Sequence, residues 1–78
     1  MPTVLRIGPY RLFIYDGDRH ESEHVHVERD IGTAKFWLEP VSLQSSAGFP
    51  RAELNDIQRL IIQHHPILLQ RWHDYFDS

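Results

Sequence analysis

With 78 residues the chain has room for one domain, residues 1–78, whose folding buries only about 60 to 65% of the surface its unfolded form exposes, so a partner or a second copy would add useful core. The absence of cysteine excludes disulfide staples, thiolate chemistry and cysteine-held zinc, leaves nitrogen and oxygen as metal donors, and fits a reducing compartment. A formal net charge of -3 argues against nucleic-acid binding driven by overall charge, though not against a local basic patch.

No apolar run reaches the length of a membrane span or of a signal-peptide core, so a soluble, cytoplasmic protein with no membrane association is expected. The hydrophobic pattern changes once, from period two to period 3.6. That makes a strand block over residues 3–45 and a helix block over residues 50–76, hence an α+β fold: an antiparallel meander of four to five strands with one face covered by a C-terminal helix.

Leu5, Ile7, Tyr10, Leu12 and Ile14 alternate with Arg6, Arg11 and Phe13 around Gly8-Pro9, a two-residue hairpin turn that sets Arg6 opposite Arg11. Two arginines so opposed call for an anion, a carboxylate or water between them. A charged loop, Asp16 to Glu23, follows. His24 to Arg29 and Thr33 to Glu39 then read as two further strands. With Ile31-Gly32 as the turn, Glu28 faces Lys35, His26 faces Trp37 and His24 faces Glu39. Val41 to Leu43 would add a short edge strand before a turn at Ser45-Ser46-Ala47-Gly48. From Pro50 onward, Leu54, Ile57, Ile61, His65, Leu68, Trp72, Tyr75 and Phe76 form one helical stripe that Pro66 kinks or splits.

The run His24-Val25-His26-Val27-Glu28 carries the chemistry, because alternation puts His24, His26 and Glu28 on one face and both valines on the other. The face away from the helix would gather Arg6, Arg11, Phe13, Tyr15, His24, His26, Glu28, Lys35 and Trp37. Histidines transfer protons near neutral pH, arginine and lysine hold phosphoryl charge, and exposed aromatics stack on bases. Binding to RNA or another phosphate ester follows, with His24 and His26 as acid and base, Glu28 orienting one of them, and Arg6, Arg11, Lys35 and Trp37 holding the ligand. A metal-independent ribonuclease with no cofactor is one activity these parts suit. A second reading is a non-catalytic interaction module that docks a partner or forms a homodimer through Trp37. A third is a divalent metal such as zinc or nickel held by His24, His26 and Glu28, with Lys35 competing for the carboxylate. The plainest reading of all is a wet sheet face laced by ion pairs such as Glu28 to Lys35.

The remaining histidines point elsewhere. His65 lies mid-stripe, as a histidine bonded to a carbonyl near the Pro66 break would; His73 falls off the stripe and is expected in solvent; His20 sits in the loop. Trp72, Tyr75 and Phe76 read as core.

Pro2-Thr3-Val4 with Arg6, Tyr10-Arg11, the run His24 to Arg29, Ala34-Lys35-Phe36-Trp37-Leu38, and Trp72 with Tyr75-Phe76 together resemble the small bacterial proteins of the DUF4160 family, a domain of unknown function. The resemblance spans almost the whole chain. It implies a component of a toxin–antitoxin-like gene pair, with a small protein partner encoded nearby and RNA as a target. Relatives tend to carry prolines where this chain has Ser22-Glu23. They also tend to open the helix with a serine capping box, of which Glu53 remains while Pro50 replaces the serine.

Overall fold

The strands come first in the chain, and so does the sheet that they build. The computed structural model describes residues 3–77, so Pro2 of the resemblance lies outside the described residues. Five strands run β1 (Thr3–Ile7), β2 (Tyr10–Phe13), β3 (His24–Arg29), β4 (Gly32–Leu38) and β5 (Val41–Ala47), and two helices follow, α1 (Arg51–Gln63) and α2 (His65–Phe76). Every neighbouring pair is antiparallel and the spatial order is the chain order, an open meander.

The β1–β2 register pairs Ile7 with Tyr10, Arg6 with Arg11 and Leu5 with Leu12, as the two-residue turn requires. Glu28 of β3 pairs with Arg11 across the β2–β3 ladder, on the side away from Arg6, and accepts from its Nη1 at 2.8 Å. Between β3 and β4 the turn is Asp30-Ile31, and the register differs by two residues from the predicted one: Glu28 faces Thr33, His26 faces Lys35 and His24 faces Trp37. Asp30 takes the left-handed conformation, φ 53°, which a short polar side chain tolerates. Gly32 belongs to the strand, where it pairs with Arg29, and a Cβ on it would meet the Phe49 ring. A slip of two residues preserves parity, so the two faces keep their composition while the cross-strand partners change. The edge strand is also longer than predicted. β5 runs on through Ser45, Ser46 and Ala47, with one residue bulged between the Phe36–Leu43 and Lys35–Ser45 pairs.

One face of the sheet contributes Val4, Leu12, Val25, Val27, Ala34, Phe36 and Leu38 to a single core, which Ile57, Ile61, Leu68 and Trp72 of the helices close. The helical stripe breaks at His64, whose N–H still reaches the Leu60 carbonyl at 3.1 Å; Pro66 then falls in the first turn of α2, where its missing donor costs nothing. His65 Nε2 lies 2.6 Å from the Leu38 carbonyl, fastening α2 to the end of β4. Tyr75 departs from the core reading at 39% exposure. No helix among the described residues is long and apolar enough to cross a membrane.

Glu53 caps nothing. Pro50 occupies the N-cap, and the Glu53 carboxylate instead accepts two hydrogen bonds from the Arg29 guanidinium, at 2.7 and 2.6 Å, and one from the Tyr10 hydroxyl at 2.8 Å. This fork joins α1 to β2 and β3. The Arg29 hydrogen bond, and then that of Tyr10, hold the Glu53 carboxyl below its ordinary range, while burial and Glu53 raise the Tyr10 phenol. A depressed folded-state pKa stabilises the fold above the unfolded value and stops doing so as pH falls through the folded one. Thermal melts taken from neutral pH down through the carboxylate range are therefore expected to fall more steeply for the wild-type chain than for Glu53→Gln, which starts lower at neutral pH and lacks that acid limb. Parallel curves for the two proteins would assign the acid sensitivity to other carboxylates.

Candidate site on the outer sheet face

Alternation along β3 sends His24 and His26 away from the helical core, but the face they reach is not uniformly open. The chain leaves β2 through Phe13 and folds Asp16–His20 into a 3-10 helix. This segment is fastened to the end of α2, since the Tyr75 hydroxyl donates to the Asp16 carboxylate and the Arg19 guanidinium lies 5.7 Å from the Phe76 ring centroid. Asp18 is thereby turned inward, and its Oδ2 accepts the Tyr15 N–H at 2.8 Å.

That one oxygen meets both imidazoles: His24 Nε2 lies 3.0 Å away and His26 Nε2 3.2 Å away. His24 has no exposed surface; its ring is enclosed by Trp37 at 5.7 Å, Trp72 at 5.0 Å and His26 at 5.1 Å between centroids. Its Nδ1 donates to the Ser22 carbonyl at 2.9 Å. His26 is half-buried, stacked on Phe13 at 5.4 Å with Tyr15 edge-on at 4.8 Å. Burial, reinforced by the neighbouring His24, pushes the His26 imidazole below its ordinary pKa despite the pull of Asp18, which favours the neutral ring near neutral pH. Burial alone would raise Asp18, yet the Tyr15 N–H and the two histidines outweigh it and hold the carboxyl below its usual range.

Beside His26 a groove of about 400 Å³ opens, lined among others by Phe13, Tyr15, Lys35, Ser45 and Ser46. Lys35 places its ammonium 4.8 Å from the Trp37 ring centroid and 2.7 Å from Glu21 Oε1. The family model for Domain of unknown function (DUF4160) matches residues 10–73. The chain belongs to this family. Neither the comparison with curated proteins nor that with solved structures finds a match.

The outer face of this DUF4160 chain thus sorts the predicted site residues into two groups. His24 and His26 come together, and the carboxylate that joins them is Asp18, because Arg11 on the adjacent strand takes Glu28. Lys35, predicted to face Glu28, instead pairs with Glu21. His24, predicted on an open surface, is buried and does not line the groove, so the histidine that meets the groove is His26. Phe13 is buried as well, Tyr15 and Arg6 are exposed, and Trp37 is half-covered by His24 and Lys35. Asp18 escaped the sequence reading because it lies in a loop with no periodicity; its only local sign is the acidic cluster beginning at Asp16.

Proposed function

We propose that this DUF4160 protein binds a phosphate-bearing, base-bearing ligand, RNA being the class with both parts, in the groove beside His26, and that it works as one member of a toxin–antitoxin-like pair with a small protein partner. The observation that carries the reading is the groove itself, where an ammonium, serine hydroxyls and a half-exposed aromatic ring share one concave wall. Tyr15, 43% exposed, offers a stacking surface, and stacking on such rings is sequence-tolerant. The Lys35 side chain is largely covered while its partner Glu21 is exposed, so a phosphate can take the place of Glu21 on the ammonium. The net charge of -3 confines attraction to this local patch.

Fluorescence anisotropy with a short single-stranded RNA at low salt tests the reading. Binding that weakens as salt rises is expected, and Lys35→Ala or Tyr15→Ala should each cost about 1 to 3 kcal/mol, roughly 5- to 150-fold in Kd. Absence of binding, or equal binding by both variants, would refute the groove as the RNA site. Expression of the chain in bacteria, with growth and total RNA followed, then assigns its side of the pair: arrest with RNA loss marks the toxin, unaffected growth the antitoxin.

A further inference from the structure

We propose that Asp18, His24 and His26 bind one divalent transition-metal ion, of which zinc is the reference, through the Asp18 carboxylate and the two Nε2 atoms. The case begins with the His24 tautomer. Its Nδ1 faces the Ser22 carbonyl, which can only accept, so Nδ1 carries a proton and Nε2 is the nitrogen left to meet a metal ion. That nitrogen is wholly buried, makes no hydrogen bond, and nevertheless lies 3.0 Å from an Asp18 oxygen. A deprotonated Nε2 and a carboxylate oxygen at that distance would hold a cation in common.

A proton is one such cation, but it fits poorly. A proton on Nε2 would make a fully buried imidazolium whose N–H does not aim at Asp18, the nearby carboxylate, while the same oxygen already serves the Tyr15 N–H and His26. A metal ion fits the His24 contact, and it would replace the hydrogen bond that His26 Nε2 makes with Asp18 Oδ2 at 3.2 Å. Ligands about 2.0 to 2.1 Å from a tetrahedral zinc lie about 3.3 Å from one another. Asp18 Oδ2 stands 3.0 and 3.2 Å from the two nitrogens, and the three ligand atoms all fall within 4.8 Å of one another. Donors around a shared ion point at it rather than at each other, which accounts for close approach without hydrogen-bond geometry at His24. Metal-bound histidines characteristically donate their other ring N–H to a carbonyl or carboxylate, as His24 does to Ser22, and ligating carboxylates are themselves hydrogen-bonded, as Asp18 is by Tyr15. Two imidazoles and one carboxylate suit zinc or another first-row ion rather than calcium or magnesium. Three protein ligands is also the number that leaves a position for water or substrate, and His26 belongs to both the cluster and the groove wall.

The test uses metal alone, so it stands or falls separately from RNA binding. Chelator-treated protein is titrated with zinc by calorimetry and with cobalt by visible absorption. One ion per chain, a cobalt d–d band of a nitrogen- and oxygen-ligated site, and a melting temperature that rises with zinc are expected. Asp18→Asn and His26→Gln should lose more than the about 10- to 100-fold in affinity typical of outer-shell changes, and His73→Gln should lose none. Circular dichroism of each metal-free variant establishes that it is folded. His26 tolerates replacement better than His24 because it is only half-buried. Nitrogen NMR of the wild-type chain gives a second readout in which the His24 Nε2 resonance moves on adding zinc. Failure of the wild-type chain to bind zinc, binding undiminished in folded Asp18→Asn and His26→Gln, or a His24 ring that holds both protons throughout the titration would each overturn the site.

Discussion

Replacing Trp72 with alanine is expected to cost about 3 to 5 kcal/mol, the usual range for deleting a buried aromatic ring. At about 0.05 to 0.15 kcal/mol per residue, a chain of 78 residues has roughly 4 to 12 kcal/mol of stability in total, so this one change removes a quarter or more of it. The reason is position as much as size. Trp72 is 5% exposed, closes the core from α2, packs on Phe76 at 4.5 Å and covers the His24 ring at 5.0 Å. Its loss opens a cavity between helix and sheet and loosens the same end of α2 that fastens Asp16 and Arg19. Urea denaturation should show a lower midpoint for Trp72→Ala with a nearly unchanged slope, whereas Trp37→Ala, half-covered on the outer face, should move far less. Equal effects would mean that the outer face is packed as firmly as the core. Because Trp72 also encloses His24, a folded Trp72→Phe protein is the better background for studying the histidines.

What could be seen in advance follows from which forces act locally. The hairpin at Gly8-Pro9 was legible because turn chemistry and strand parity agree there, and the pairing of Ile7 with Tyr10 is the one that turn demands. The faces of β3 and β4 were legible from alternation alone, but their register was not. Gly32 reads as a turn residue in the sequence, while in the fold it is a strand residue kept small by Phe49, a contact that no local pattern announces. The extension of β5 through Ser45, Ser46 and Ala47 was hidden for a related reason, since an edge strand needs ladder partners on one side only and tolerates a polar composition. At the site, alternation identified His24 and His26 as neighbours. It could not show that Arg11 would claim Glu28 from across the sheet, nor that a loop would be tied back by Tyr75 so that Asp18 took the place Glu28 seemed to hold. Parity says which way a side chain points; what covers it depends on elements far along the chain, and here the cover is Asp18 and Trp72.

Gly32→Ala is expected to destabilise the fold by about 1 to 3 kcal/mol, the cost of forcing a methyl group into a filled space. A Cβ at Gly32 would lie 2.7 to 2.9 Å from three atoms of the Phe49 ring, closer than carbon atoms pack. The ring has little room to retreat. It is buried, with the Arg29 guanidinium 5.8 Å from its centroid and Tyr10 edge-on at 6.3 Å, and it follows Gly48, whose left-handed φ of 81° sets the path of the backbone past Gly32. Relief must therefore come from the ring itself. Phe49→Leu removes the clashing edge and keeps most of the apolar volume, so the double variant should be more stable than the sum of the two single losses predicts, by a coupling of about 0.5 to 3 kcal/mol. A double-mutant cycle measured by urea denaturation reads this directly. Additive losses would show that Phe49 moves aside freely when Gly32 gains a side chain. Close packing against Phe49 would then not account for the glycine.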